Sequence, residues 1–403
     1  MSGPLEGTLV LDLSRVLAGP WASQSLADMG ARVIKVEQPG HGDDTRSWGP
    51  PYLESGDHRE SAYFLSANRG KESIAIDFKD PRGQAILREL AQRADILIEN
   101  YKVGGLAAYG LDYDSISSIN PAIVYCSITG FGQTGPYAHK PGYDFIIQAM
   151  SGLMSVTGVD APTKVGVAVS DLFAGLYATV GILGAYTRAR ETGQGDHIDI
   201  SLLDAQLATL ANQASNYLVG GKSPGLSGNA HPNIVPYQVF ETADEPIVVA
   251  VGNDRQFAKL CAVIGCGHLA DDVRYATNAE RVKNRHELVA LIAQPLRQNT
   301  ADHWLGLLEQ QGVPVGPVNS VGEAFSDPHV VARSTVVQLQ RDDLGQVPGV
   351  RSPLRFQNCS VDAERAPPAL GDSTAAVLRE IGISDTDMEA LVEAGVVGKF
   401  EGV

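Results

Sequence analysis

TLVLDLSRVLAGPWASQSLADMGARVIKVEQ, residues 8–38, holds two short runs of apolar and β-branched residues, TLVLDLS (8–14) and RVIKVEQ (32–38). Between them lies a stretch with helical spacing from Ala22 to Met29. Strand, helix and strand in this order build parallel pairs, because the crossover returns the chain to the same end of the sheet. The pattern continues with SIAIDF (73–78), a helix from Asp80 to Ala94, DILIEN (95–100) and AIVYCSI (122–128). These runs predict an α/β fold with a large doubly wound, Rossmann-like parallel sheet. Asp80 before Pro81 marks a helix start, since the Asp side chain accepts from an orphan amide and proline loses no needed donor there.

Downstream, DLFAGLYATVGILGAYTRARET (171–192) is apolar on nearly every face and stops at Gly193, as expected of a buried helix with a glycine beyond its C-terminus. A strand at His197–Ser201 and a helix from Asp204 to Val219 follow. The segment GGKSPGLSGNAHPN (220–233) reads as a linker. The strand PIVVAVG (246–252) and helices at Gln256–Ile264, Arg285–Leu296 and Ala301–Gln311 predict a small α+β domain. The expected division is a large domain over 1–219, a linker over 220–234, a small domain over 235–318 and a return linker over 319–345.

The 403 residues carry a formal charge of −16 and no run of Lys and Arg, which argues against a nucleic-acid partner. The N-terminus enters a strand without a basic and then apolar leader, so a cytoplasmic protein that does not span a membrane is expected. Four cysteines without CxxC spacing read as reduced thiols. The histidines show no HExxH or paired spacing, so no metal site is expected.

In an open parallel sheet, ligands bind beyond the carboxyl ends of the strands. That singles out the loops at Arg15–Pro20, Glu37–Gln38, Asp77–Lys79, Asn100–Lys102 and after Thr129. The last contains GFGQTG (130–135), a literal G-x-G-x-x-G, but Pro136 follows and no helix pattern opens, so a plain turn is the better reading. Arg15, Arg46, Arg69, Lys71, Lys79, Lys102 and Lys140 scatter cations around these loops. Each alone reads as a solvated charge; together they suit a phosphorylated cofactor. Asp171, at the start of the apolar helix, has two readings. It satisfies exposed amides as a cap, or it is an ionised, poorly hydrated carboxylate able to attack a thioester.

The loops resemble those of class III CoA-transferases, in DLSRVLAGP (12–20), GARVIKVEQPGHGDDTR (30–46), NRGKESIAID (68–77), IENY (98–101), ITGFGQTGPY (128–137), PGYD (141–144), GVAVSDLFAGLYA (166–178) and RAPPALGDST (365–374). The resemblance implies Asp171 as the acyl-carrying residue. It implies CoA contacts at Leu17, Ala18, Gln38, Ile76, Asp77, Phe78, Lys79, Asn100, Tyr101, Lys102, Lys140, Tyr143 and Asp144. It also implies an interlocked homodimer whose C-terminal segment, 330–403, completes the large domain, and no permanently bound cofactor. The stretches GDDTRSWGPP (42–51), SNYLVGG (215–221) and AHPNIVPYQVF (230–240) are most similar to members that pass CoA from succinyl-CoA to glutarate. For such an acceptor Arg15, Arg46 and His231 are the expected substrate contacts, with Arg15 or Arg46 meeting the distal carboxylate. Against formyl-CoA and oxalate stand Gln38 and Ala108, where similar formyl-CoA transferases carry basic residues, and SGNAHPN (227–233) in place of their glycine-run loop. Two alternatives stay open: an α-methylacyl-CoA racemase, although the GHD of those enzymes is here Gly142, Tyr143, Asp144, and a noncatalytic acyl-CoA binding protein.

Overall fold

The computed structural model describes residues 3–359, 361 and 365–398. Six strands, β1 (Leu9–Asp12), β2 (Arg32–Glu37), β3 (Lys71–Ala75), β4 (Ile96–Glu99), β5 (Val124–Thr129) and β6 (Asp196–Ser201), form one parallel sheet in the order β3-β2-β1-β4-β5-β6. The register pairs Leu9 with Arg32, Val10 with Ile96, Ile96 with Val124, and Val124 with Asp196. Strand order reverses between β1 and β4, so their carboxyl ends flank a crevice.

Apolar side chains of these strands divide between two cores. On one face Val10, Ile96, Val124 and Ile128 meet α1 (Ala18–Asp28) and α3 (Val169–Thr192). On the other, Leu11, Ile34, Leu97 and Tyr125 meet α2 (Pro81–Arg93) and the C-terminal helices Thr374–Glu380 and Asp385–Glu393. Burial on both faces explains why the strands read as continuous apolar runs rather than alternating ones. Asp80 caps α2 by accepting from the Arg82 amide.

Several expected boundaries move. α1 begins at Ala18, four residues before the expected Ala22, because Gly19 and Pro20 fit a first helical turn whose amides need no internal partner. The third strand runs from Lys71 to Ala75 instead of 73–78: Ile76 still donates to the Glu37 carbonyl (2.9 Å) but bridges Val397, and the Asp77 amide donates to the Val396 carbonyl (2.8 Å). The helix expected over 204–219 is two helices, Leu202–Thr209 and Asn212–Gly220, broken where Ala211 takes a left-handed φ of 47°. GFGQTG forms a turn with positive φ at Gly132 and Gly135 and opens no helix.

The chain separates into two compact units, one of residues 1–153, 165–215 and 331–403, the other of 154–164 and 216–330. In the first, the C-terminal segment is hydrogen-bonded to β3 through Ser373 N–H to the Ser73 carbonyl (3.0 Å) and Gly398 N–H to the Ala75 carbonyl (2.9 Å). The second holds an antiparallel sheet of Tyr237–Phe240, Ile247–Ala250 and Val315–Pro317, with helices Asp254–Val263, Arg285–Leu296 and Ala301–Gln310 around it.

Candidate active site

At the switch point, the loops after β1 and β4 are tied together by Asn100. Its Oδ1 accepts from the Arg15 amide (2.9 Å) and its Nδ2 donates to the Arg15 carbonyl (2.7 Å). Val16 is held in left-handed backbone (φ 71°), a strained state for a β-branched residue, and its amide donates to the Asp43 carboxylate (3.2 Å).

Beneath these loops lies a buried charge network. Lys35 donates to Asp43 (2.9 Å) and to the Ser14 carbonyl (2.8 Å), while Lys71 donates to Asp12 (3.1 Å), Asn68 (2.9 Å) and the Pro20 carbonyl (3.0 Å). Burial alone raises the Asp12 carboxyl, but Lys71, Lys35, Ser14 and Ser23 outweigh it and hold it below the ordinary range. Burial pushes Lys71 down to about 8 against the pull of Asp12. Lys71 and Arg69, expected among the loop cations, therefore serve the scaffold: Lys71 is enclosed, and Arg69 is paired with Asp28. A buried charge is tolerable only with such partners.

Arg46 is a second correction. Its guanidinium donates to both Glu37 oxygens (2.6 and 2.8 Å), to Glu60 (2.5 Å) and to the Pro368 carbonyl (3.2 Å), and lies over the Phe64 ring at 3.6 Å. A guanidinium so engaged has no free fork for a substrate carboxylate.

Above the network opens a cleft of about 430 Å³, lined by Arg15, Gln38, Ile76, Asp77, Phe78, Lys79 and Tyr101 among the residues expected at the site. Phe78 and Tyr101 meet edge to face at 5.5 Å, and Arg15 lies over Tyr101 at 5.3 Å while pairing with Asp44 (3.0 Å). Sequence reasoning missed His41, Asp43, Asp44 and Ser47 in the same lining; the local signal was the glycine-flanked PGHG turn (39–42). Lys102 instead lines a smaller cavity of about 190 Å³ with Glu99, Ser127 and His197. Lys140 lies over the Tyr137 ring at 3.8 Å, and Tyr143 is exposed. His231 belongs to the second unit, where it packs on Tyr237 with ring centroids 5.2 Å apart.

Leu17 and Ala18 are buried at the start of α1, which runs close to α3. A Cβ on Gly175 would come within 2.6 Å of the Ala18 carbonyl oxygen, so only glycine permits this approach one turn beyond Asp171. Asp171 is the third residue of α3 and does not cap it: among the described residues its carboxylate accepts no hydrogen bond. The orphan amide of Ser170 is taken by Asp144 Oδ1 (2.9 Å), whose Oδ2 accepts from Gln148 (2.8 Å), and the Ser170 hydroxyl donates to Gln206 (2.8 Å). Burial, with Asp144 nearby, pushes the Asp171 carboxyl up to about 7. Burial and the carboxylates of Asp171, Asp144 and Asp43 push the Tyr63 phenol up to about 12.

Relatives match nearly the whole of the chain that carries this cleft and, at the start of α3, a carboxylate without a hydrogen bond among the described residues. The family model for CoA-transferase family III matches residues 5–374. The chain belongs to CoA-transferase family III. Family III membership makes it an enzyme of the CoA-transferase type. It is 52% identical over 383 residues to a succinate–glutarate CoA-transferase of Agrobacterium fabrum, covering 94% of this chain and 96% of that one. A succinyl-CoA:glutarate CoA-transferase of Homo sapiens is 44% identical over 401 residues, covering 99% and 91%. Among solved structures, a CAIB/BAIF family protein from Brucella suis superposes with a TM-score of 0.85 at 48% identity, covering 94% of this chain and all of that one.

Proposed function

We propose that this family III enzyme moves CoA from succinyl-CoA to a free dicarboxylate such as glutarate, with Asp171 carrying the acyl group. The names of the Agrobacterium and human relatives support the substrate pair. The observation that carries the mechanism is Asp171 itself, placed at the start of an apolar helix with no donor on its oxygens among the described residues. A carboxylate freed from hydrogen bonds and raised in basicity is a better nucleophile than a solvated one.

Asp171 attacks the thioester carbonyl, the C–S bond breaks, and CoA thiolate leaves a mixed anhydride. The thiolate then attacks the Asp171 carbonyl, releasing the donor acid and forming an aspartyl-CoA thioester. The acceptor carboxylate expels the thiolate to form a second anhydride, and the thiolate attacks the acceptor's carbonyl, restoring Asp171. One acyl bond replaces another at each step, so no net proton or electron moves. The main demand is exclusion of water from the anhydrides.

In this reading the cleft along Ile76–Lys79 and Tyr101 receives CoA, with Gln38, Asn100, Lys102, Lys140, Tyr143 and Asp144 on its path. Arg15 is the arginine left for the distal carboxylate, since its partner Asp44 is exposed and exchangeable. Tyr143, Phe145 and Met150, with Val180 on α3, expose apolar surface that supports a second copy in an interlocked homodimer. α3 has 24 residues and is apolar enough to pass as a membrane span, but Ala174, Ala178 and Ile182 pack in the sheet's core. We therefore read it as a core helix of a cytoplasmic enzyme.

Two results test the proposal. With succinyl-CoA as donor, glutarate accepts CoA at least about tenfold more efficiently than a monocarboxylate of equal length, and Arg15→Ala removes most of that preference. Equal rates for both acids in the wild type refute the dicarboxylate assignment. The nucleophile is the ionised form and its carboxyl stands at about 7, so kcat/KM falls as pH drops below that value. The acid limb approaches about tenfold per pH unit. A flat profile down to pH 5 argues against Asp171 as the titrating nucleophile.

A further inference from the structure

In the second unit, the end of one helix brings two thiols together. The helix Asp254–Val263 stops at Ile264, and Gly265 follows in left-handed backbone (φ 75°). The Cys266 amide then donates to the Cys261 carbonyl (2.7 Å), and the Gly265 amide to the Ala262 carbonyl (3.3 Å). These are the two bonds of a Schellman end, in which the residues at the places of Cys261 and Cys266 commonly make an apolar contact. Here both places hold a free thiol, and Cys266 packs against the core cluster that contains Cys261.

The spacing suits a covalent link. From the 2.7 Å hydrogen bond, adding the N–Cα bond and the Cα-to-O span (about 1.5 and 2.4 Å) puts the two α-carbons at most about 6.6 Å apart. A disulfide takes α-carbons roughly 4.4–6.8 Å apart, so the pair can close with the helix end in place. The two thiols differ in access. Cys261 is fully buried, and burial, with Cys266 beside it, pushes its thiol up to about 12. Cys266 is half-buried between Gly265 and Gly267, both exposed, and a Cβ on either glycine would meet nothing within 4 Å. A small oxidant therefore reaches Cys266 first.

We propose that Cys266 and Cys261 form a redox site that takes a peroxide, with Cys266 oxidised first and Cys261 closing a disulfide on it. The Cys266 sulfur attacks one peroxide oxygen and the O–O bond breaks; the sulfur becomes a sulfenic acid, and the other oxygen leaves with the thiol proton as water. The Cys261 sulfur then attacks the sulfenic sulfur and the S–O bond breaks, the departing hydroxide taking the Cys261 proton as a second water. Two thiols lose two electrons and two protons, and one hydrogen peroxide becomes two waters. Closure stops Cys266 short of sulfinic acid, which thiols do not reverse, and leaves it in a form that a dithiol restores.

The test treats the full chain with hydrogen peroxide, unfolds it, alkylates the remaining thiols and maps the peptides. Most of Cys266 is expected in a peptide bridged internally to Cys261, two hydrogens lighter and reopened by dithiothreitol, while the buried Cys126 stays a thiol and is alkylated. In Cys261→Ala the bridge is lost and Cys266 proceeds to sulfinic acid; Cys261→Ser takes the place of that variant if it does not fold. Wild-type Cys266 recovered as sulfinic acid with Cys261 alkylated, or bridged to another cysteine, overturns the pairing. Cys266 left alkylated at peroxide concentrations that oxidise the half-buried Cys359 overturns the site altogether.

Discussion

Replacing Asp171 by alanine lowers CoA transfer by on the order of 10⁴-fold or more, with CoA binding near its wild-type value. The expectation follows from what surrounds the residue. Among the described residues its carboxylate bonds no amide, and Asp144 takes the Ser170 amide, so removal leaves the helix start intact. Folding therefore survives while the only proposed acyl carrier is gone. Steady-state transfer from succinyl-CoA, with CoA affinity measured in parallel, checks both halves. Loss of CoA binding together with activity would return Asp171 to a structural role.

Replacing Arg46 by alanine destabilises the fold by about 3–5 kcal/mol, the usual cost of stranding a buried ionic partner. Here Glu37, with its side chain 1% exposed, loses its ion-pair partner, and Glu60, 5% exposed, is left with Arg341 (3.3 Å). Burial raises the Glu37 carboxyl and Arg46 outweighs that effect; without Arg46 the carboxylate must take up a proton or lose its burial. The hydrogen bonds to the Pro368 carbonyl also join the C-terminal segment to the loop after β2, so the loss loosens both. Urea unfolding of the variant measures the effect. Wild-type stability combined with a raised KM for the dicarboxylate acceptor would restore Arg46 to the substrate site.

The contrast between these two residues shows what was legible in the sequence. Asp171 was read as a site residue because it opens an apolar helix, and Arg46 because it is one of the cations around the strand-end loops. Asp171 keeps that position with its oxygens free, whereas Arg46 is drawn into ion pairs with Glu37 on β2 and Glu60, which a local pattern cannot pair. The parallel strands were readable because burial on both faces makes them continuous apolar runs, as in LVLD and ILIE. β3 was placed two residues late because Lys71 and Glu72 are polar, and only the distant Asp12 makes Lys71 a strand residue. Its far end was misplaced for the same kind of reason: Ile76 pairs with Val397, some three hundred residues on. The cleft's glycine-flanked His41 escaped notice because a turn sequence says where the chain bends and not what the bend faces.

The most direct measurement is the intact mass of wild-type protein and of Asp171→Ala after succinyl-CoA and then hydroxylamine, with peptide mapping of the product. The anhydride or aspartyl-CoA thioester at Asp171 is predicted to be trapped as a hydroxamate on that residue and to be absent from the variant. Wild-type protein that transfers CoA under the same conditions yet stays unmodified at Asp171, or an adduct that persists in Asp171→Ala, would contradict covalent catalysis at this carboxylate.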